Sequence, residues 1–220
     1  MSADTLIYRA IEKKDYAAAA QLIKDTWQYE KVASSNNALH MAYVFLYSSL
    51  AHHNFSQVAL REGKLVGLIL GRTNEVPLKE KRYYLNMGYH LIRLLLTSEG
   101  KQAVQSFRRN LQVNQALLKQ TYETYDGELT FFAVDASTRQ SGIGSHLFHS
   151  YLTFMQNEGA RTFRLFTDTS CTYAFYESKG MTRIGAVTRR MPFLDKEMSF
   201  FLYRGDLQEV NYPPLKSSGF

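Results

Sequence analysis

Glu128-Leu-Thr-Phe-Phe-Ala-Val134 is followed by Asp-Ala-Ser-Thr and then by Arg139-Gln-Ser-Gly142-Ile-Gly144-Ser145. The first run is rich in aromatic and β-compatible residues and predicts a strand. The second opens a helix running to about Asn157, with Ile143, Leu147, Tyr151 and Phe154 on its buried face. Between such a strand and helix, several successive backbone N–H groups lack a helical partner and coincide with the positive end of the helix dipole. Gly142 and Gly144 let a ligand approach the backbone, and Arg139 adds positive charge. The segment reads as an anion site suited to phosphate or pyrophosphate. It is not a dinucleotide fingerprint, because Leu147 stands at the third glycine position, and it lacks the Gly-Lys-Ser/Thr of a Walker A loop. The plainer reading of a Gly-x-Gly helix start is close packing or turn geometry alone.

Upstream, Leu6–Arg9 is β-compatible, Asp15 is placed to cap a helix over Tyr16–Trp27, and Asn36 or Asn37 to cap a second helix reaching about Ala51. Gln57–Arg61 and Leu65–Gly71 read as a hairpin turning at Glu62-Gly63-Lys64. Residues 73–127 then connect to the strand at Glu128, and a connection of that length needs elements of its own. Tyr84, Met87, Leu91 and Leu95 form one helical stripe; Val104, Phe107, Leu111, Leu118 and Tyr122 form another, with Ser98 as a cap. The expectation is a helical hairpin inserted between the third and fourth strands, the alternative being that both helices belong to the basic core of the fold. Downstream, Gly159 ends the helix and Thr162–Thr167 is a strand. A short helix follows over Ser170–Ser178, and Ile184–Arg189 with Glu197–Arg204 close the sheet. One domain over residues 1–210 and a loose tail over 211–220 are expected.

The order strand, Arg139-x-x-Gly142-x-Gly144, long helix, strand, and short helix with Phe175-Tyr176-Glu-Ser-Lys-Gly180-Met181 resembles the GNAT superfamily of acetyl-CoA-dependent N-acetyltransferases. The resemblance runs from about Glu128 to Ile184, with weaker agreement over residues 6–71. It implies an α/β fold with a mixed, mainly antiparallel central sheet flanked by helices. It also implies that Arg139, Gln140, Ser141, Gly142, Ile143, Gly144 and Ser145 hold the pyrophosphate of CoA. Backbone groups of Phe132, Ala133 and Val134 would then receive its pantetheine arm. The long connection at 73–127 departs from the family pattern and leaves the acceptor site open; because it joins the chain at the start of the Glu128 strand, it is expected to wall or lid that site.

Direct transfer to an amine requires the neutral amine, and a lysine-like amine is only about 1/2000 neutral at pH 7. By resemblance to the histone acetyltransferase branch, Glu128 would assist deprotonation; otherwise it is a strand-start carboxylate facing solvent or pairing with arginine. Tyr176 matches the tyrosine that protonates the departing thiolate in many members, the alternative being a packing ring. Tyr173 lines the cofactor channel or the core. Cys171 reads as a small buried thiol, and His146 and His149 as packing or surface residues. No metal-ligand spacing is present among the histidines, so no metal is expected.

The chain of 220 residues carries 26 Lys+Arg against 20 Asp+Glu, a net +6 with pI near 9.3. Such a charge attracts many anions and chooses none. As nucleic-acid contacts the basic clusters Arg108-Arg109, Arg189-Arg190 and Lys79 through Arg82 would need a stripe with interleaved exposed aromatics; they read as solvated faces, so nucleic acid is not expected as a partner. The longest apolar runs are far short of the ~20 residues that span a bilayer, and the start lacks a signal-peptide pattern; a cytoplasmic protein without membrane contact is expected. The expected partners are acetyl-CoA and a small amine or peptide. A homodimer could form by pairing of the Glu197–Arg204 strand. The other class of reading is a non-catalytic acyl-CoA-binding regulatory module on the same fold.

Overall fold

The computed structural model describes residues 5–74, 81–191 and 196–210. Strand β1 (Leu6–Arg9) leads to helices α1 (Tyr16–Thr26) and α2 (Ser35–Leu50), then to the hairpin β2 (Phe55–Arg61) and β3 (Lys64–Thr73). Glu62 and Gly63 at the hairpin turn both have positive φ, 49° and 76°, the signature of a turn whose twist matches that of paired strands. Helices α3 (Lys81–Leu95) and α4 (Ser98–Thr121) stand between β3 and β4 (Gly127–Val134). Then follow α5 (Ile143–Asn157), β5 (Thr162–Asp168), α6 (Ala174–Ser178), β6 (Thr182–Met191) and β7 (Lys196–Asp206).

The seven strands form one sheet in the order β1-β2-β3-β4-β5-β7-β6. All neighbours are antiparallel except β4 and β5, which pair in parallel only at Gly127↔Phe163 and Glu128↔Arg164. Past that point the two strands no longer pair, while β4 stays bonded to β3 and β5 to β7. The sheet is therefore split along one edge of β4. Opposite this edge β4 is bulged: Leu70 faces Phe131 and Gly71 faces Leu129, leaving Thr130 as the extra residue. The bulge changes which side chains look inward, so Leu129 joins the core under α5 while Phe131 and Ala133 join the opposite core.

Helix α5 covers one face through Ile143, Leu147, Phe148, Tyr151, Leu152 and Met155, packed on Ile69, Leu129, Phe163, Leu165, Phe201 and Tyr203. On the other face α1 and α2 cover β2–β4. Helix α4 continues this layer. Near its start Ala103 and Val104 pack on Met41 and Val44 of α2, and near its end Leu117 packs on Met198, Phe200 and Leu202 of β7. It thus crosses the sheet face from α2 to the β6–β7 half.

Several local expectations change. Asp15 stands at the start of α1, but its carboxylate takes Arg9 and the Glu12 N–H rather than capping the helix. Asn36 and Asn37 lie inside α2, and Asn37 donates to Thr97 and Glu99. The cap of α4 is Thr97, whose Oγ1 accepts the Gly100 N–H at 3.0 Å, not Ser98. The helix expected over Ser170–Ser178 forms only from Ala174, because the Asp168 carboxylate holds Ser170 in a turn. Strand β7 is paired on both sides, so the Glu197–Arg204 segment is no free edge for dimerisation; β1 and β6 are the sheet's outer strands. The tail expected at 211–220 lies outside the described residues.

Candidate functional site

At the C-terminal end of β4, Asp135 caps the 3-10 turn Ala136–Thr138 by accepting the Ser137 N–H at 2.8 Å. The chain then passes exposed Arg139, Gln140 at φ 65°, Ser141 and Gly142 at φ 83° into α5. Ser141 Oγ donates to the Thr138 carbonyl at 2.5 Å and closes the loop on itself. Among the described residues no backbone N–H from Gln140 to Ser145 finds a protein acceptor; the first helical bond is His146 N–H to the Gly142 carbonyl at 3.0 Å. Gly142 holds the left-handed conformation that L-residues enter only with strain. Ile143 is buried in the α5 core, so its side chain anchors the loop. A row of free donors at a helix start, an exposed guanidinium and an unpaired strand edge leading away from it fit a diphosphate carrying an extended arm. The Phe132 and Val134 side chains pack on the α5 side, and Phe132 lies against Phe175 at 5.5 Å and Phe148 at 6.2 Å. Ala133 points into the opposite core. For these three residues the backbone is what borders the split.

At the other end of the split, Glu128 sits in register between Arg72 of β3 and Arg164 of β5. Its Oε2 accepts from Arg72 at 2.9 Å and from Arg164 at 3.0 Å, while Oε1 has no hydrogen bond among the described residues. The Arg164 guanidinium also lies 5.5 Å over the Tyr125 ring. Of the two sequence readings of Glu128, the arginine pairing is what the structure displays, through Oε2.

Tyr176 is mostly buried, packed near Phe148 and Tyr203 at 6.4 and 6.0 Å. Burial pushes its phenol pKa well up, and the nearby Cys171 adds to the rise. The phenol is therefore protonated throughout the physiological range. Tyr173 is the residue before α6 rather than part of its face; it meets Phe201 edge-on at 5.1 Å and lies under the Arg183 guanidinium at 5.2 Å. Cys171 is held up by burial and by Asp168, which makes it a poor thiolate.

The arginines beside Glu128 and the α1–α2 connection were missed from sequence. Trp27 packs on Phe131 at 5.3 Å. Tyr29 has its phenol pKa raised by burial, with Asp168 and Cys171 close enough to add to it, so this connection reaches the end of β5. Which arginines flank Glu128 depends on the register between β3, β4 and β5; Trp27 and Tyr29 carry no sequence signal of their own. Among the described residues no three His, Cys, Asp or Glu side chains gather into a metal-holding group.

The model of the Acetyltransferase (GNAT) family matches residues 103–181, which include the split strand, the loop and α6. Over that stretch the chain is similar to the GNAT acetyltransferases. Its fold is shared with an N-acetyltransferase from Staphylococcus aureus Mu50, at TM-score 0.57 and 15% identity over 92% of this chain and 99% of that one. A putative phosphinothricin N-acetyltransferase superposes at TM-score 0.55 and 15% identity, over 92% of this chain and 99% of that one. The ribosomal-protein-S18-alanine N-acetyltransferase from Escherichia coli superposes at 0.52 and 14% identity, over 98% of this chain and 99% of that one. No curated protein sequence matches significantly. Acyl transfer is the activity class that the GNAT family brings to this chain.

Proposed function

We propose that this protein is an N-acetyltransferase that moves acetyl from acetyl-CoA directly to a primary amine of a small molecule or peptide. The observation that carries the reading is the split between β4 and β5, with a row of free N–H donors at one end and Glu128 at the other. From Glu128 to Val134 the strand spans about 20 Å, comparable with an extended pantetheine. Residues Arg139–Ser145 would hold the diphosphate, and the open edge at Phe132–Val134 would hold the arm. Tyr173, stacked with Arg183 and Phe201, would shape the wall beside α6.

In the reaction the amine nitrogen attacks the thioester carbonyl, a C–N bond forms, and the C–S bond breaks. Glu128 Oε1 accepts the proton that the ammonium must lose, directly or through a water. Tyr176 stands on α6 beyond the open end of β5, as a donor for the departing sulfur. Its phenol enters the step protonated because burial keeps it so. The acceptor would approach over the sheet face bearing Glu128, walled by Trp27 and Tyr29 on one side and by α4 on the other.

Calorimetry with CoA, combined with a thiol-release assay over several amine classes, tests this reading. Heat of binding with turnover on at least one amine is expected. No heat with CoA would overturn the site, and CoA binding without transfer to any amine would make the chain an acyl-CoA-binding module instead.

A further inference from the structure

Helix α3 and the solvent side of α4 hold a concentration of charge and apolar surface that the proposed reaction leaves unused. From Lys81 to Thr121 the chain has seven Lys or Arg and one acid, Glu99, a net +6 equal to the excess of the whole protein. Glu99 is itself engaged with the Ser34 N–H and Asn37. Apart from Ile7, every exposed large hydrophobic side chain among the described residues lies between Leu85 and Tyr122. Four of them form one stripe at 4-3-4 spacing: Leu85, Tyr89, Ile92 and Leu96, which are 74, 56, 62 and 72% exposed. The opposite side of α3 is already buried, with Tyr83 in the α1–α2 core and Leu94 against α2 and α4. A helix apolar on both faces expects a second apolar neighbour. Lys81 and Arg93 stand exposed beside the stripe, and Arg108 and Arg109 lie on the solvent side of α4.

We propose that the outer face of α3 docks on an anionic lipid surface, with the helix lying in the plane of the interface. A basic amphipathic helix of this kind buries its apolar stripe about 5–10 Å into the headgroup boundary, while flanking cations meet acidic lipids. Among the described residues no helix is long and apolar enough to cross a membrane, and a surface helix need not cross it. The charge also selects among occupants. A second copy would set +6 against +6, and nucleic acid would need a run of stacking rings where this stripe offers one, Tyr89, among aliphatic Leu85, Ile92 and Leu96.

The test is flotation of the intact protein with phosphatidylcholine vesicles, with and without phosphatidylserine. Partition is expected to require phosphatidylserine and to weaken with salt. The double substitution L85Q/I92Q is expected to lower partition about tenfold or more, with circular dichroism and thiol release unchanged. K81Q/R93Q provides a second variant that keeps the apolar stripe and reduces the salt dependence. No partition onto either vesicle, partition that L85Q/I92Q retains, or a concentration-dependent dimer abolished by L85Q/I92Q would overturn the proposal. The last result would assign the stripe to a second copy of the chain.

Discussion

Replacing Glu128 with Gln separates proton acceptance from the rest of what this residue does. The amide has the same shape, and its carbonyl can keep both guanidinium bonds, now at 2.9 and 3.0 Å. Its NH2 then occupies the place of Oε1. The ionic attraction lost is between side chains 17 to 27% exposed, so the stability cost is about 1 kcal/mol, or a midpoint shift of about 2–4 °C. What disappears is the lone pair that can take the ammonium proton. A positioned base contributes about 10²–10⁴-fold. Without it, only amine that is already neutral can react, about one molecule in a thousand at pH 7.4 for a pKa near 10.4. That fraction grows about tenfold per pH unit. The kcat/KM of E128Q should therefore climb with unit slope from neutral pH and approach the wild-type value near the pKa of the amine. Initial rates of thiol release from about pH 6.5 to 10, with folding checked at each end, supply the profile. A wild-type rate at pH 7 would refute the base assignment. A constant deficit at every pH would refute it too, and would point to a purely electrostatic role.

In Gly142→Ala, nothing lies within 4 Å of the added Cβ, so the cost is backbone strain at φ 83°, about 1–2 kcal/mol. CoA affinity should fall about tenfold as the donor row turns, and unchanged calorimetric affinity would count against the loop. Tyr176→Phe keeps the packing and should lower kcat about 10–100-fold with little change in KM for acetyl-CoA; an unaltered kcat would remove Tyr176 from the chemistry. His90 joins α3 to α2, its Nδ1 2.8 Å from His40 Nδ1 and its ring stacked 4.4 Å from Tyr43. Burial, and then His40, pushes its pKa down to about 4. The unfolded chain therefore takes up this proton first, so the stability His90 contributes is complete above about pH 6.5 and is lost as pH falls towards 4. Discounted for partial exposure, the loss is of order 1–2 kcal/mol. Thermal midpoints at pH 7 and 5 should show it, and His90→Phe should flatten the difference.

The motif and the strand order around it were legible because each rests on local chemistry. Gly142 is needed where φ turns positive, and the alternation of Thr162–Asp168 survives intact in β5. The caps failed where a tertiary partner outbid the local one. Asp15 found Arg9, and Asn37 found Glu99 on another helix. The two helical stripes were half right. Met87, Leu91 and Val104 face the core, whereas Leu95 and Leu111 are exposed and Tyr122 lies past the end of α4 in a left-handed turn. A helix that is apolar on two sides offers periodicity no means of choosing between them, and the choice was made by α2. The Arg72–Glu128–Arg164 row was out of reach for a different reason. It joins three strands whose adjacency depends on the parallel crossover through α5, and register between distant strands is not written in any one of them.

The electrostatics of Tyr176 narrow how it can act. A thiol of ordinary acidity has a pKa near 8.5 and a free phenol near 10, so full transfer from phenol to thiolate is already uphill by about 2 kcal/mol. Burial raises the Tyr176 pKa further and makes complete transfer harder still. The same burial strengthens a hydrogen bond donated to developing negative charge, because little water competes for it. Tyr176 is thus better suited to steady the departing sulfur while the proton arrives from solvent than to surrender its own. On that reading kcat carries no ionisation of Tyr176 between about pH 6 and 10, and the Y176F deficit stays constant across the range. A deficit that vanished at low pH, where solvent could protonate the sulfur unaided, would instead mark Tyr176 as the proton source.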